Sequence, residues 1–379
     1  MIDTPTDHGL TDRVWRAFAS EAENPGLPID VRIGSLIDAS APLATRTERS
    51  AAVHAVRARI DGLGVLQPFA DDTTVSEIIV NAGHEVWIER AGELVRVAAD
   101  LDPVSTEQLV RRLAASVGRR IDRAHPTVDA RLADGSRLHA ILPPLAIDGP
   151  CLSIRRFVEQ GRDLSHFGPP DLVGLLAGLV SSRATLVVAG STSSGKTSLL
   201  NAVASNIDPK ERIVTIEDAA ELALPLPHVV RLETRAATET LPAVDVRELV
   251  RNALRMRPDR LLCGEMRGGE AIDLVQAMNT GHAGSMTTVH ANSPVDALHR
   301  IETMMLAAGL ELPLAAARAQ LASCIDVVVM VERRAEGERG VVELATPHLA
   351  ADSSIGKWTC RPLWSSDRRS NHSLASDAA

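Results

Sequence analysis

The chain has 379 residues, of which 45% are hydrophobic and 23% are charged, so it is long enough for two domains with buried cores. Its formal net charge of −9 argues against a protein that binds nucleic acid directly through its overall charge. The polar start lacks the apolar segment of a secretory signal, and no apolar run approaches the ~18 residues that a membrane span needs. We therefore expect a cytoplasmic protein.

Residues 1–50 are predicted to be a variable helical lead. One segment, residues 11–22, has apolar side chains at helical spacing, and Thr11 is its expected N-cap. Core packing or docking onto the next domain is the role that this pattern favours.

Residues 51–157 are predicted to form an α+β domain, because short strand-like and helical segments alternate there. Asp134-Gly135 is a hairpin turn signature between two strand-like segments. The expected elements are strands at 75–81 and 84–90, a helix at 105–119 with Ser105 as its cap, and two strands within 129–142.

Glycines and a Pro-Pro pair predict a linker over residues 158–171, and a second domain is expected over residues 172–346. In this second domain apolar runs alternate with helical patterns, which is typical of an α/β fold with a largely parallel sheet. A closing hairpin is expected around residues 336–340, and residues 347–379 are expected to be a polar, disordered tail. The expected strands are residues 185–190, 212–218, 228–233, 260–265, 285–290 and 325–331.

The four cysteines do not form a metal site by spacing. Cys151, Cys263, Cys324 and Cys360 lie far apart in sequence, without any CxxC pair. Reduced, structural thiols are the expectation.

A glycine-rich loop follows the first strand of the second domain. Its pattern is G-x-x-x-x-G-K-[ST], in which the glycines let backbone N–H groups turn toward phosphate oxygens at a helix N-terminus. The lysine supplies a compact cation to the β- and γ-phosphates, and the hydroxyl after it can bind Mg²⁺. The chain has only three lysines, so this one stands out. The loop predicts a site for ATP and Mg²⁺, formed by Gly190, Ser191, Thr192, Ser193, Ser194, Gly195, Lys196, Thr197 and Ser198.

Acidic residues end two of the predicted strands. Glu217, Asp218 and Glu221 follow one strand, and Glu265 follows another, with Arg267 close behind. Carboxylates at the carboxyl ends of parallel strands face the ligand crevice of an open α/β sheet. One of them can hold Mg²⁺ and another can position the attacking water, but the spacing does not decide which is the base.

Histidines and arginines complete the candidate site. His282 and His290 flank one strand without a cysteine or carboxylate at ligand spacing, which favours contact with a phosphate or a carboxylate over metal binding. An arginine that neutralises charge benefits phosphoryl transfer, and spacing alone does not choose among the candidates. The arginines concerned are Arg155, Arg156, Arg231 and Arg235.

Taken together, these segments resemble the secretion ATPases of the type II/type IV superfamily, and most closely the TadA/CpaF branch that powers tight-adherence (Flp-type) pili. The resemblance covers about residues 60–345. It rests on "VSEIIVN", "VDARLADGSRLHAILPPLA", "LSIRRF", "GSTSSGKTSLLNA", "RIVTIEDAAEL", "RNALRMRPDRLLCGEMRGGEA" and "GHAGSMTTVHANSP".

The resemblance implies a RecA-like P-loop ATPase domain joined by a flexible linker to a smaller α+β domain, in a homo-hexameric ring. ATP would sit between the two domains and near a subunit boundary. The implied roles are Walker A for Lys196 and Thr197, water activation for Glu217, Walker B and Mg²⁺ binding for Glu265, a histidine box for His282 and His290, catalytic arginines at Arg231 and Arg235, and nucleotide contact from Arg155 and Arg156.

Two features favour the TadA/CpaF branch, namely the missing tetracysteine zinc module and the short lead before residue 51. The implied partners are polytopic inner-membrane platform proteins, with the protein peripheral to the inner face of the membrane and without direct nucleic-acid contact. A DNA-conjugation motor and a non-catalytic, ATP-dependent assembly scaffold remain the alternatives.

Overall fold

The computed structural model describes residues 8–20, 27–90, 92–156, 163–235, 237, 241–309, 311–333, 339–350 and 356–366. The chain divides into two compact units, Met1–Val158 and Glu159–Ala379. Each unit has hydrophobic cores of its own.

The first unit is an α+β structure. Its helices are α1 His8–Ser20, α2 Ile29–Ser40, α3 Arg46–Ile60, α4 Gln67–Asp71 and α5 Pro103–Ser116. Its strands are β1 Val75–Asn81, β2 Glu85–Arg90, β3 Glu93–Val97, β4 Thr127–Arg131, β5 Arg137–Ile141 and β6 Cys151–Arg155.

These strands form one antiparallel sheet in the order β3-β2-β1-β6-β5-β4. Alternate residues of β1, such as Ile78 and Val80, are buried in a core that also contains Leu109 and Leu113 of α5. The predicted strands and the hairpin are confirmed. The predicted cap of α5 is wrong, because Asp102 caps the helix and Ser105 completes its capping box from the third position.

The N-terminal lead contains more structure than one helical segment. Helices α1, α2 and α3 pack around a small core of their own. Thr11 is not the cap of α1, since the helix already includes His8. The start of α3 has a sequence signal that was missed, because Thr45 and Glu48 form a capping box.

The second unit is an α/β structure. Its helices are α6 Pro170–Ser181, α7 Lys196–Ala204, α8 Val246–Ala253, α9 Glu270–Asn279, α10 Pro294–Leu306 and α11 Leu314–Cys324. Its strands are β7 Leu186–Gly190, β8 Ile213–Glu217, β9 Val229–Glu233, β10 Arg260–Cys263, β11 Met286–His290, β12 Val327–Arg333, β13 Arg339–Ala350 and β14 Lys357–Ser365.

The described strands of this unit form one sheet in the order β14-β13-β12-β7-β11-β10-β8-β9. Strands β12 to β9 in this order are parallel, whereas β13 and β14 are antiparallel additions at one side. Along β7, Val187 and Ala189 face a core with helices α8–α11, while Leu186 and Val188 face a core with α6 and α7. Helices therefore cover both faces, and the predicted α/β fold is confirmed.

Two boundary predictions need correction. The linker prediction is wrong from Leu164 onward, because Leu164 and Phe167 are buried in the core with α6 and α7. Residues 158–162 of that linker, and most of the turn expected at 336–340, lie outside the described residues.

The prediction of a disordered tail is wrong as far as residue 366. Strand β14 pairs with β13, and its Trp358 and Trp364 are buried. Their indole N–H groups donate to Glu302 and Asp171, respectively. Burial of two large aromatic side chains stabilises this strand. Residues 351–355 and 367–379 of the predicted tail lie outside the described residues.

Among the helices in the described part of the chain, none is both long enough and apolar enough to cross a membrane.

Candidate active site

The glycine-rich loop lies between the carboxyl end of β7 and the N-terminus of α7. Both glycines of its pattern are needed where they stand. A Cβ on Gly190 would lie 2.3 Å from the carbonyl oxygen of Val331. Gly195 caps α7 with φ of 99°, in the left-handed region, and a Cβ there would lie 2.8 Å from Cδ of Arg339. The loop therefore holds the close backbone geometry that phosphate binding requires.

Lys196 is folded back onto its own loop. Its side-chain amino group donates to the carbonyl oxygens of Gly190, at 3.1 Å, and Ser191, at 2.8 Å. It also lies 3.2 Å from Nδ1 of His290. In this arrangement the N–H groups of Lys196 are bonded to backbone carbonyl oxygens. A bound phosphate could accept these hydrogen bonds instead.

His290 joins the loop to the acidic strand ends. Parallel pairing of β11 with β7 places His290 opposite Gly190. Its Nε2 lies 2.9 Å from Oε1 of Glu265. Burial and the charge of Lys196 hold the pKa of His290 below its ordinary value, although Glu265 opposes this. A neutral ring therefore accepts from Lys196 at Nδ1 and places Nε2 near Glu265, whose Oε1 has no hydrogen-bond partner among the described residues.

Glu265 follows β10 and lies between a histidine and an arginine. Its Oε2 accepts from Nη2 of Arg267 at 2.6 Å. Burial raises the pKa of Glu265, but the hydrogen bond and the charge of Arg267, together with His290 and Lys196, outweigh this and lower it. The carboxylate is therefore ionised at neutral pH.

Glu217 at the end of β8 is in a different environment. Its side chain is 3% exposed, and Oε1 accepts the backbone N–H groups of Glu221 and Leu222, both at 2.9 Å. Among the described residues Oε2 has no hydrogen-bond partner. A Cβ on Gly264 would lie 2.9 Å from Cγ of Glu217, so the glycine makes room for this side chain. Burial raises the pKa of Glu217 to about 7.

This raised pKa predicts a pH-dependent effect of Glu217→Gln on stability. The unfolded carboxyl loses its proton near 4.5 and the folded one near 7, so wild-type stability falls as the pH rises through this window. Glutamine stays neutral and keeps the acceptor for the two N–H groups. We expect Glu217→Gln to match the wild type near pH 4, below the unfolded pKa, and to exceed it by about 3 kcal/mol at pH 8, as the pKa difference implies.

Denaturant unfolding of the nucleotide-free protein at both pH values checks this prediction. Glu233→Gln is the matched control, since Glu233 lies opposite Glu217 in the register of β9 but is only half-buried. A gain in the free energy of unfolding of Glu217→Gln that is equal at pH 4 and pH 8 would contradict it.

The structure does not bring every predicted residue to the loop. His282 precedes β11 and therefore lies at the opposite edge of the sheet from His290, where its Nδ1 lies 3.0 Å from the carbonyl oxygen of Ala277. The five-residue strand β11 separates the two histidines, so His282 does not join the loop in this chain, and its contact with nucleotide stays a prediction. Arg231 donates to the carbonyl oxygen of Ala220, beside the segment that Glu217 holds. Arg235 donates to that of Pro242.

The two arginines of the first unit are both near the end of β6. Arg155 is the exposed last residue of the strand. Arg156 donates to the carbonyl oxygens of Asp72 and Val75 within the same unit. Their contact with nucleotide stays a prediction.

The residues at the loop fit a nucleoside triphosphate with Mg²⁺. Within the described chain the buried hydroxyl of Ser194 has no hydrogen-bond partner, so it is available to a ligand in the loop. The described residues contain no cluster of three or more histidine, cysteine or acidic residues that could hold a metal by itself. Mg²⁺ suits such a site, because it is commonly held by one or two protein oxygens and the phosphates of its substrate. Thr197 and Glu265 would supply those oxygens.

Sequence reasoning missed the part played by two arginines. Arg267 contacts both Glu265 and, at 3.5 Å, Asp218. Its place two residues after the strand-end glutamate was a usable signal. Arg339 packs against Gly195 from β13, and nothing in the local sequence indicates this.

The sequence of the chain matches a known protein family and several of its members. Residues 60–355 match the family model described as "Type II/IV secretion system protein". A Mycobacterium tuberculosis protein named for conjugal transfer is 38% identical over 346 residues, which cover 88% of this chain and 96% of that protein. The type IV secretion system protein PtlH of Bordetella pertussis is 36% identical over 72% of this chain and 90% of its own length.

A solved structure supports the fold alone. The Legionella pneumophila ATPase DotB is 20% identical and superimposes with a TM-score of 0.55, over 76% of this chain and 80% of that chain. The agreement extends the confirmed α/β architecture to a protein of low sequence identity.

Proposed function

The chain belongs to the type II/IV secretion system protein family, and from this premise we propose that it is an ATPase that converts ATP hydrolysis into movement for pilus assembly or secretion. One observation carries the proposal. The phosphate loop, His290 and Glu265 are joined by direct contacts at the carboxyl edge of the parallel strands. This edge is where open α/β sheets bind their ligands.

The chemistry follows from the side chains present. Lys196 would exchange the carbonyl oxygens of its own loop for the β- and γ-phosphates, and α7 would add its N-terminal N–H groups. Mg²⁺, held by Thr197 and Glu265, would neutralise phosphate charge. Glu265 is ionised, and its buried Oε1 has no hydrogen-bond partner among the described residues, so it can orient water for attack.

Glu217 is better placed to hold the backbone near the site than to act on the water. Its carboxyl holds the 218–222 segment by two backbone hydrogen bonds. Arg231 contacts the same segment, and with Arg235 it remains a candidate for charge neutralisation. We propose Glu265 and His290 as the residues nearest to the reaction.

We further propose a homo-hexameric ring at the inner face of the cell membrane, with polytopic platform proteins as partners. Hydrolysis would drive movement between the two units about the segment that joins them. Within the family, the quoted segments support a TadA/CpaF-type protein of tight-adherence pili, and the widely spaced cysteines are consistent with a branch that lacks the tetracysteine zinc module.

A phosphate-release assay on the purified full-length protein tests the proposed function. We expect steady turnover of ATP that depends on Mg²⁺, at rates of about 1 s⁻¹ or more in the assembled ring, within the usual range for enzymes. Light scattering of the same sample gives the number of subunits. ATP binding without any release of phosphate would favour the non-catalytic assembly scaffold instead.

The conjugation alternative draws support from the name of the Mycobacterium tuberculosis relative. The net charge of −9 speaks against direct DNA handling. DNA binding that weakens steeply with salt at physiological ionic strength would favour this alternative.

A further inference from the structure

Five side chains form one continuous series of contacts across the candidate site. Lys196 contacts His290 at 3.2 Å, and His290 contacts Glu265 at 2.9 Å. Glu265 contacts Arg267 at 2.6 Å, and Arg267 reaches Asp218 at 3.5 Å. Each carboxylate in the series is therefore next to a cation or a ring N–H of the same chain.

The two oxygens of the Glu265 carboxylate differ in their surroundings. Oε2 accepts from Arg267, whereas Oε1 lies 2.9 Å from Nε2 of His290 and has no hydrogen-bond partner among the described residues. The side chain of Glu265 is only 18% exposed, so Arg267 takes one of the few positions from which a cation can reach it. A guanidinium and a divalent ion beside one carboxylate repel each other.

The backbone at Arg267 is anchored separately from its side chain. Its own N–H and that of Gly268 both donate to Oε1 of Glu270, at 2.6 and 2.8 Å. Its side chain is 56% exposed and lines a groove of about 640 Å³ that Asp218 also lines. The longer contact with Asp218 marks the place to which the guanidinium can shift.

We propose that Arg267 is a positioning residue that occupies the cation side of Glu265 before nucleotide binds, and that it gives this place up to Mg²⁺ by moving onto Asp218. Arg267 thereby holds the Glu265 carboxylate in place until the metal arrives. The inference rests on the proposed function, since it assumes that the loop binds a nucleotide with Mg²⁺.

Equilibrium binding of mant-labelled AMP-PNP to the full-length protein, in MgCl₂ and in EDTA, tests the inference. We expect Arg267→Ala to bind the Mg²⁺ form about threefold more tightly than the wild type, a size typical of an exposed ion pair, and the metal-free form no more tightly. Arg267→Lys keeps the charge and should stay within about twofold of the wild type in both buffers.

Arg251→Ala is the matched control. Arg251 is 58% exposed and pairs with Asp273 at 3.2 Å, so its loss removes a similar ion pair in the same unit away from the series. We expect unchanged affinity in both buffers. The control also shows whether loss of an exposed arginine by itself alters folding or affinity.

Unchanged or weaker binding of the Mg²⁺ form by Arg267→Ala would overturn the inference, because a residue that only holds structure or contacts phosphate cannot tighten binding when removed. In that case normal binding by the wild type would leave the proposed function standing. A wild-type protein that binds the probe in neither buffer would overturn both.

Discussion

Lys196→Ala is expected to abolish measurable ATP turnover, with a loss of about 100-fold or more, as for other groups that stabilise charge in a transition state. The side chain is 7% exposed and lies against the carbonyl oxygens of its own loop. Alanine leaves the phosphates without their only cation from the loop. Phosphate release at saturating ATP measures the loss.

Lys210→Ala is the control for this prediction. Lys210 is an exposed residue in the turn after α7, and it is one of the two other lysines of the chain. It should turn over ATP like the wild type. Wild-type turnover by Lys196→Ala would instead remove the loop from the proposed site.

Glu265→Gln is expected to bind ATP but to hydrolyse it about 100- to 10,000-fold more slowly, the usual range for loss of a group that handles a proton. The carboxylate is ionised, because Arg267, His290 and Lys196 together lower its pKa despite burial. Glutamine has nearly the same shape but carries no charge, so it cannot take up a proton or balance Arg267.

Binding and turnover must be measured on the same preparation of this variant. Nucleotide affinity within about threefold of the wild type, with slow phosphate release in single turnover, fits a role in the chemical step. Glu248→Gln, an exposed residue of α8, controls for loss of a surface carboxylate. Normal turnover by Glu265→Gln would leave Glu217 as the stronger candidate for the base.

Much of the fold could be predicted because its central strands are buried on both faces. Strand β7 is buried at every residue, so it reads as an apolar run without any polar interruption. The phosphate loop was predictable for a related reason, since only glycine tolerates the backbone oxygen of Val331 at Gly190 and the positive φ at Gly195.

The elements that were missed owe their stability to distant contacts. Strand β14 has the alternating pattern of a half-buried strand at its start, but Pro362 interrupts it, so its local signal is mixed. It forms because Trp358 and Trp364 are buried and find acceptors on α10 and α6, far away in sequence. Helices α2 and α3 likewise depend on a core shared with α1.

Among the residues of the site, too, some could be predicted from local sequence and others depend on distant contacts. The order of residues along the chain determined the ligand class, because the spacing of Gly190, Gly195, Lys196 and Thr197 is a local property of one loop and one helix N-terminus.

Only the tertiary structure decided which of the other residues meet at that loop. Strand order brings His290 beside Gly190 and leaves His282 at the far edge of the sheet. Burial raises the pKa of Glu217 to about 7, whereas the charges around Glu265 lower its pKa and keep it ionised. The physical reason is that pairing between strands and the desolvation of a carboxyl depend on neighbours remote in sequence, whereas loop geometry depends on residues next to each other.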